Sequence, residues 1–203
     1  DDALANNSST TTSPAITGTF SADTTAPAIT ARDTVDLDGD GWIDALHISF
    51  DEPIDDTSVT AANFDVAGVA GEAFSSTTNG DTADDADIYI TFADSVLSSA
   101  AAPTVTYTAG TLTDLPGNLL ASSGPTASTD AAGPAVWSAV ASDETNIFVG
   151  IDSDDTVTIT FSESTNQPAI TSGTIDGVLS LSGGHSWLDG GGGISSAAWS
   201  SVR

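Results

Sequence analysis

The chain of 203 residues has no cysteine, no methionine and no lysine, and its only Lys/Arg-type cations are Arg32 and Arg203. Without cysteine no disulfide can staple the fold, so packing and bound ions must hold it. Without lysine, Schiff-base chemistry, a P-loop and Lys–Asn isopeptide crosslinks are all excluded. Two basic residues against 29 acidic ones leave a net charge of −27. That balance excludes DNA, RNA and anionic membrane surfaces as partners, because phosphate must be met by Lys or Arg. It suits divalent cations or a high-salt medium. No apolar run approaches the roughly 18–20 residues that a transmembrane helix needs. Neither an initiating Met nor a signal peptide is present, so the expectation is a processed or excised piece.

What is present is enough for a core: 39% hydrophobic residues, with four Trp and seven Phe. Leu46, Ile48 and Phe50 alternate with His47 and Ser49, and Ile88, Ile90 and Phe92 with Tyr89 and Thr91. Val105 and Tyr107 alternate with threonines, as do Val157, Ile159 and Phe161. Period two with one polar face marks half-buried antiparallel strands, and the short spacing between them predicts an all-β sandwich. A helical turn is expected only across residues 94–102, and a late strand across 119–121.

Residues 36–44 read Asp36-Leu-Asp38-Gly-Asp40-Gly-Trp-Ile-Asp44. Carboxylates at positions 1, 3, 5 and 9 of a short loop suit Ca2+, a hard cation that takes six to eight oxygens at about 2.3–2.6 Å. Asp36, Asp38 and Asp40 each offer an oxygen, Trp42 its carbonyl, and Asp44 a direct or water-mediated ligand. Gly41 sits where the loop must turn sharply. The loop departs from an EF-hand, because position 12 is His47 rather than Glu and the flanking segments are strand-like. It resembles the Asp-x-Asp-x-Asp-Gly-x-x-Asp calcium loops of integrin α-subunit propellers. The competing reading is a solvated acidic turn.

The chain repeats itself. Leu46-His-Ile-Ser-Phe-Asp-Glu52 matches Val157-Thr-Ile-Thr-Phe-Ser-Glu163, and Val59-Thr-Ala-Ala-Asn-Phe-Asp65 matches Ile170-Thr-Ser-Gly-Thr-Ile-Asp176, both at an offset of 111. The linkers Asp23-Thr-Thr-Ala-Pro27 and Asp130-Ala-Ala-Gly-Pro134 also correspond. The expected organisation is a Ser/Thr-rich segment 1–25 carrying a candidate donor strand, a module over 26–130, and a second, incomplete module over 131–203. In the second copy Asp152, Asp154 and Asp155 replace the loop but lose its spacing.

The Asp-x-x-x-Pro linkers, the strands ending Phe50-x-Glu52 and Phe161-x-Glu163, and the Thr113-Asp-Leu-Pro-Gly-Asn118 turn resemble immunoglobulin-like repeats. Those repeats occur in bacterial and archaeal surface proteins of the S-layer and adhesin type. The resemblance implies tandem Ig-like β-sandwich modules at the cell surface, with a structural or adhesive role; the residues themselves lead to the expectation that the chain is not an enzyme. The expected function is a calcium-stabilised extracellular subunit of a filament or surface layer. Its expected partner is a further copy, held head-to-tail by β-strand complementation, or further repeats of a longer chain. The alternative is a stalk or adhesive module of a large adhesin.

Weaker candidates remain. Glu52 and Glu163 end matching strands and can share an ion with linker Asp23 or Asp130, or simply be solvated. Asp81, Asp84, Asp85 and Asp87 form a second acidic loop, an ion site or a polar turn. Asn6 and Asn7 head overlapping glycosylation sequons. His185, Ser186 and Asp189 have the residue types of a triad, but a nucleophile adjacent in sequence to its base reaches it poorly.

Overall fold

A computed structural model describes residues 21–143, 155–189 and 191–200. The alternating segments become strands with the faces their periodicity requires. β1 (Ile29–Val35) pairs antiparallel with β3 (Ala45–Phe50), and β2 (Trp42–Ile43) lies in the connection between them. In β3 the side chains of Leu46, Ile48 and Phe50 are buried while His47 and Ser49 face outward. β4 (Phe64–Val66), β5 (Ala73–Phe74), β6 (Asp87–Thr91), β7 (Leu97–Ser98), β8 (Thr104–Tyr107) and β9 (Ser123–Ala127) follow.

Two sheets form, in the orders β1-β3-β6-β5 and β4-β8-β9, and β2 pairs separately with β7. Leu46, Ile48, Phe50, Ile88 and Ile90 from the first sheet share one core with Phe64, Val66, Val105 and Tyr107 from the second. Each such side chain contributes about 1.5–3 kcal/mol on burial. Phe64 and Tyr107 face each other across the β4–β8 pair, ring centres 4.9 Å apart.

Two expectations are corrected. The 94–102 segment is not helical; its Leu97–Ser98 pairs with β2 across the mouth of the 36–44 loop. The late strand lies at Ser123–Ala127 rather than 119–121, because the backbone of Leu112, Asp114, Asn118 and Leu120 closes on itself around a buried Asp114.

β10 (Val136–Ser142) and β11 (Thr156–Phe161) form a separate antiparallel pair. Its register reproduces that of β1 and β3: Val136 opposes Phe161 as Ile29 opposes Phe50, each followed by one irregularity. The repeat in the sequence is thus a repeat of local structure at this pair. It fails at the next matching segment. Phe64 opens β4, whereas its counterpart Ile175, also buried, opens the short helix α1 (Ile175–Val178). β4 is held by β8, and among the described residues after β11 no strand offers such a partner. Val136, Val140 and Val157 of this pair are about half exposed.

Candidate metal centre

The 36–44 loop is closed at its base by Asp44, whose N–H donates to the Val35 carbonyl (3.1 Å) and whose Oδ1 accepts from Leu37 N–H (2.9 Å). Inside the loop Asp36 accepts from Gly39 N–H (2.7 Å) and Gly41 N–H (2.8 Å). Asp38 accepts from Asp40 N–H and Asp40 from Trp42 N–H. Gly39 and Gly41, at φ +78° and +93°, supply the left-handed turns that wrap the backbone this way.

Carboxylate oxygens of Asp36, Asp38 and Asp40 lie within 4.8 Å of one another. Two oxygens on one hard cation with bonds near 2.4 Å are at most about 5 Å apart, so this trio is close enough together to hold a single ion. An all-carboxylate set suits Mg2+ or Ca2+ rather than a thiophilic metal. Asp44 stands outside the trio and serves the loop base; Trp42 enters β2. Desolvation raises the Asp38 carboxyl, opposed by its bond from Asp40 N–H and reinforced by the charges of Asp40, Asp94 and Asp36. Desolvation also raises Asp44, against the bond from Leu37, with Asp38, Asp36 and Asp94 adding to it. Asp94 adds its negative charge to the loop from the β6–β7 connection, an approach that spacing alone does not reveal.

A second acidic group joins Asp23, Glu52 and Asp114. The Asp23–Glu52 pairing is legible in the sequence; Asp114 is not, although it belongs to the Thr113–Asn118 turn that the repeat resemblance singles out. Burial pushes Glu52 up, and Asp23, Asp114 and Asp51 push it further. Burial would raise Asp114 as well, but bonds from the Asn118 side chain and the N–H groups of Asn118 and Gly117 outweigh it and leave its carboxyl below the usual range. In the second copy Glu163 is raised by burial and by Asp130, and a Ser99 hydrogen bond opposes this. A third group joins Asp81, Asp85 and Asp87 beside an open cleft of about 300 Å³ that also holds His47 and Tyr89.

Asp155 precedes β11 and joins none of these groups among the described residues. Asp152, Asp154, Asn6 and Asn7 lie outside the described residues. Ser186 donates its hydroxyl proton to Asp176 rather than to His185, and His185 contacts Asp189 at 3.1 Å.

The 36–44 loop also faces the second half of the chain. Trp42 stacks on Trp137 at 5.2 Å and 25°. Gly41 is buried against Trp137 and Ser162, and its carbonyl accepts from Ser99 N–H (2.9 Å). The Ser99 and Ser162 hydroxyls meet at 2.7 Å in a buried contact. The chain entering β10 runs along β1: Thr129 N–H donates to the Arg32 carbonyl, Thr34 N–H to the Thr129 carbonyl, and Ala131 N–H to the Thr34 hydroxyl. That lacing covers an edge strand that would otherwise be open.

No protein-family model, curated protein or solved structure matches the chain. No helix among the described residues is long and apolar enough to cross a membrane.

The raised carboxyls give the ion-free protein a specific pH response. Asp81 is pushed to about 6 by desolvation and by Asp87 and Asp85, against one bond from Thr82 N–H, while Asp38, Asp44, Glu52, Asp56 and Glu163 are raised from ordinary values. A folded pKa above the unfolded one means the native state binds more protons in between, so stability falls as pH rises through that window. In chelator the melting midpoint should therefore rise as pH is lowered from about 7 to about 5. Below the ordinary carboxylate range the lowered Asp114 and Asp176 reverse the trend. If an ion occupies one of the acidic groups, the upper part of the profile should invert, because protons then compete with that ion. Calorimetry across pH, with and without calcium, measures both.

Proposed function

We propose that the chain is a calcium-stabilised extracellular structural protein, a subunit of a filament or surface layer built from tandem Ig-like modules. The observation that carries this reading is the placement of the 36–44 loop. Carboxylate oxygens of three aspartates lie within 4.8 Å of one another, and the same loop presents Gly41 and Trp42 to Trp137 and Ser162 of the following repeat. An ion there neutralises carboxylates that otherwise repel, and in doing so holds the surface on which the next repeat rests. A load-bearing array needs joints of this kind. A chain without lysine or cysteine has few other means of stiffening them.

The strand orders support the Ig-like part. Omitting β2 and β7, which pair only with each other, and lettering the rest A to G, the sheets read A-B-E-D and C-F-G, the arrangement of a constant-type immunoglobulin sandwich. Self-association is supported by β10 and β11, a two-stranded sheet with half-exposed valines, since an isolated pair is marginal in water and gains from further strands.

Electron microscopy of purified protein with and without calcium tests the assignment. Regular polymers that dissociate on chelation are the expected result; monodisperse rods in both conditions would leave the adhesin-stalk reading in its place. Salt separates metal binding from general acidity. Raising NaCl from 0.1 to 1 M shortens the Debye length from about 10 to about 3 Å, so it should raise the melting midpoint of chelated protein by relieving self-repulsion without restoring assembly.

A further inference from the structure

The first strand pair of each repeat is tied at the same end by matching contacts. Ala28 N–H donates to Asp51 Oδ1 at 2.7 Å, and Asp51 N–H to the Ala28 carbonyl at 3.1 Å. In the second repeat Ala135 N–H donates to Ser162 Oγ at 2.8 Å, and Ser162 N–H to the Ala135 carbonyl at 2.9 Å. Thr30 and Trp137 both fall at the one irregularity in the pairing of their strands. In the second repeat this end is covered: Trp137 stacks on Trp42, Ser162 meets Ser99, and both crowd Gly41. In the first repeat Ala28, Thr30 and Asp51 are exposed. Apolar groups surround them. Pro27, Ala28 and Ile29 line a cleft of about 210 Å³ with Leu120 and Ala121. Leu115 and Leu119 are 56% and 58% exposed, on the turn that Asn118 fastens to the Asp23 carbonyl.

We propose that this end of the first repeat is a docking surface for a second copy of the chain, which seats there the end of its β10–β11 pair at Ser142 and Thr156. Within one chain the second repeat docks the matching end onto the β1–β3 connection. β10–β11 is the pair that reproduces β1–β3 in register, so the joint between copies continues the seam inside each copy. Val140 and Val157, close to that end of the pair, are 58% and 48% exposed and supply apolar area against Leu115, Leu119 and the cleft. The two surfaces differ, so the contact propagates head-to-tail. Thr30 offers no counterpart of the Trp137 stack, which makes the joint weaker than the inner seam and reversible. Asp51 stands where the inner seam has Ser162, beside the group of Asp23, Glu52 and Asp114. The joint therefore carries charge that calcium must offset, in keeping with the calcium-dependent assembly on which this inference rests.

Sedimentation velocity of the full chain in CaCl2 tests the joint with one variant at each end. Leu115→Asp/Leu119→Asp alters the docking surface and Val140→Asp/Val157→Asp the opposite end. All four side chains are about half exposed, so the fold should tolerate the charges. Wild type should form chains that lengthen with concentration, and each variant alone should need at least about 10-fold more protein to associate. A mixture of the two variants should stop at heterodimers, because only one intact joint can form between them. Asp51→Ser keeps an acceptor for Ala28 N–H, as Ser162 does for Ala135, and removes a charge. It should lower the calcium needed for assembly by about 2–5-fold. Wild-type polymers that neither double variant weakens, variants that stay monomeric when mixed, or a raised calcium requirement in Asp51→Ser would overturn the joint and leave the filament reading standing. Wild type that stays monomeric in calcium would overturn the filament reading and the joint with it.

Discussion

Chelation should lower the melting midpoint of the first repeat by about 10–20 °C. An ion at 100 times its dissociation constant adds about 2.7 kcal/mol to a site present only in the folded state. A domain of roughly 100 residues shifts by about 4–8 °C per kcal/mol. The structural reason is the trio of Asp36, Asp38 and Asp40, whose carboxylate oxygens lie within 4.8 Å of one another. Without the ion, the hydrogen bonds that those carboxylates accept come, among the described residues, from N–H groups of the loop itself. Scanning calorimetry with calcium and with chelator measures the shift. Asp36→Asn/Asp38→Asn should erase most of it while melting near the chelated wild type. A shift that survives in that variant would assign the effect to other acidic groups and remove the loop from its proposed role.

The second large effect is expected from Gly41→Val. A Cβ at residue 41 would fall 2.4 Å from Trp137 Nε1 and 2.7 Å from Ser162 Cβ, and φ is +93°. The left-handed conformation costs a residue with a Cβ about 1–2 kcal/mol, and overpacking adds about 1–3 kcal/mol. The opposing contacts are weaker. An aromatic stack contributes about 0.5–1.5 kcal/mol and one buried hydroxyl pair about 1 kcal/mol. The seam should therefore open while the first repeat stays folded. Trp137 would move into water, shifting tryptophan emission to longer wavelength, and small-angle scattering would show a larger radius of gyration. Gly39→Ala is the control: its φ is +78°, but a Cβ there meets nothing within 4 Å. It should weaken the loop slightly and leave the emission unchanged. Equal effects from the two variants would show that loop strain, not contact with Trp137, is responsible.

The β3, β6, β8 and β11 strands were legible because each carries a two-residue alternation that the sheet faces must obey. The loop trio was legible because its carboxylates are local, at alternate positions of one turn. Asp94 and Asp114 were not, since each reaches its partners from a distant connection, and no spacing rule records that approach. The short β7 was misread as helical because two residues carry no usable period. Asp56 is visible in the sequence as one of the acids beside Glu52, but its burial is not. An Asp among turn residues looks solvated until the packing of the 81–87 turn removes its water.

By itself the sequence determined the all-β class, the acidity and lack of lysine that leave cations to be taken from solution, and the three-carboxylate loop. These are properties of composition and near-neighbour spacing. Tertiary structure alone decided that Gly41 and Trp42 bear on Trp137, that Asp114 sits beside Glu52, and that Asp56 is dry. Those facts depend on which distant segments meet, and hydrophobic burial of the core chooses those meetings without any local mark on the residues that are carried along.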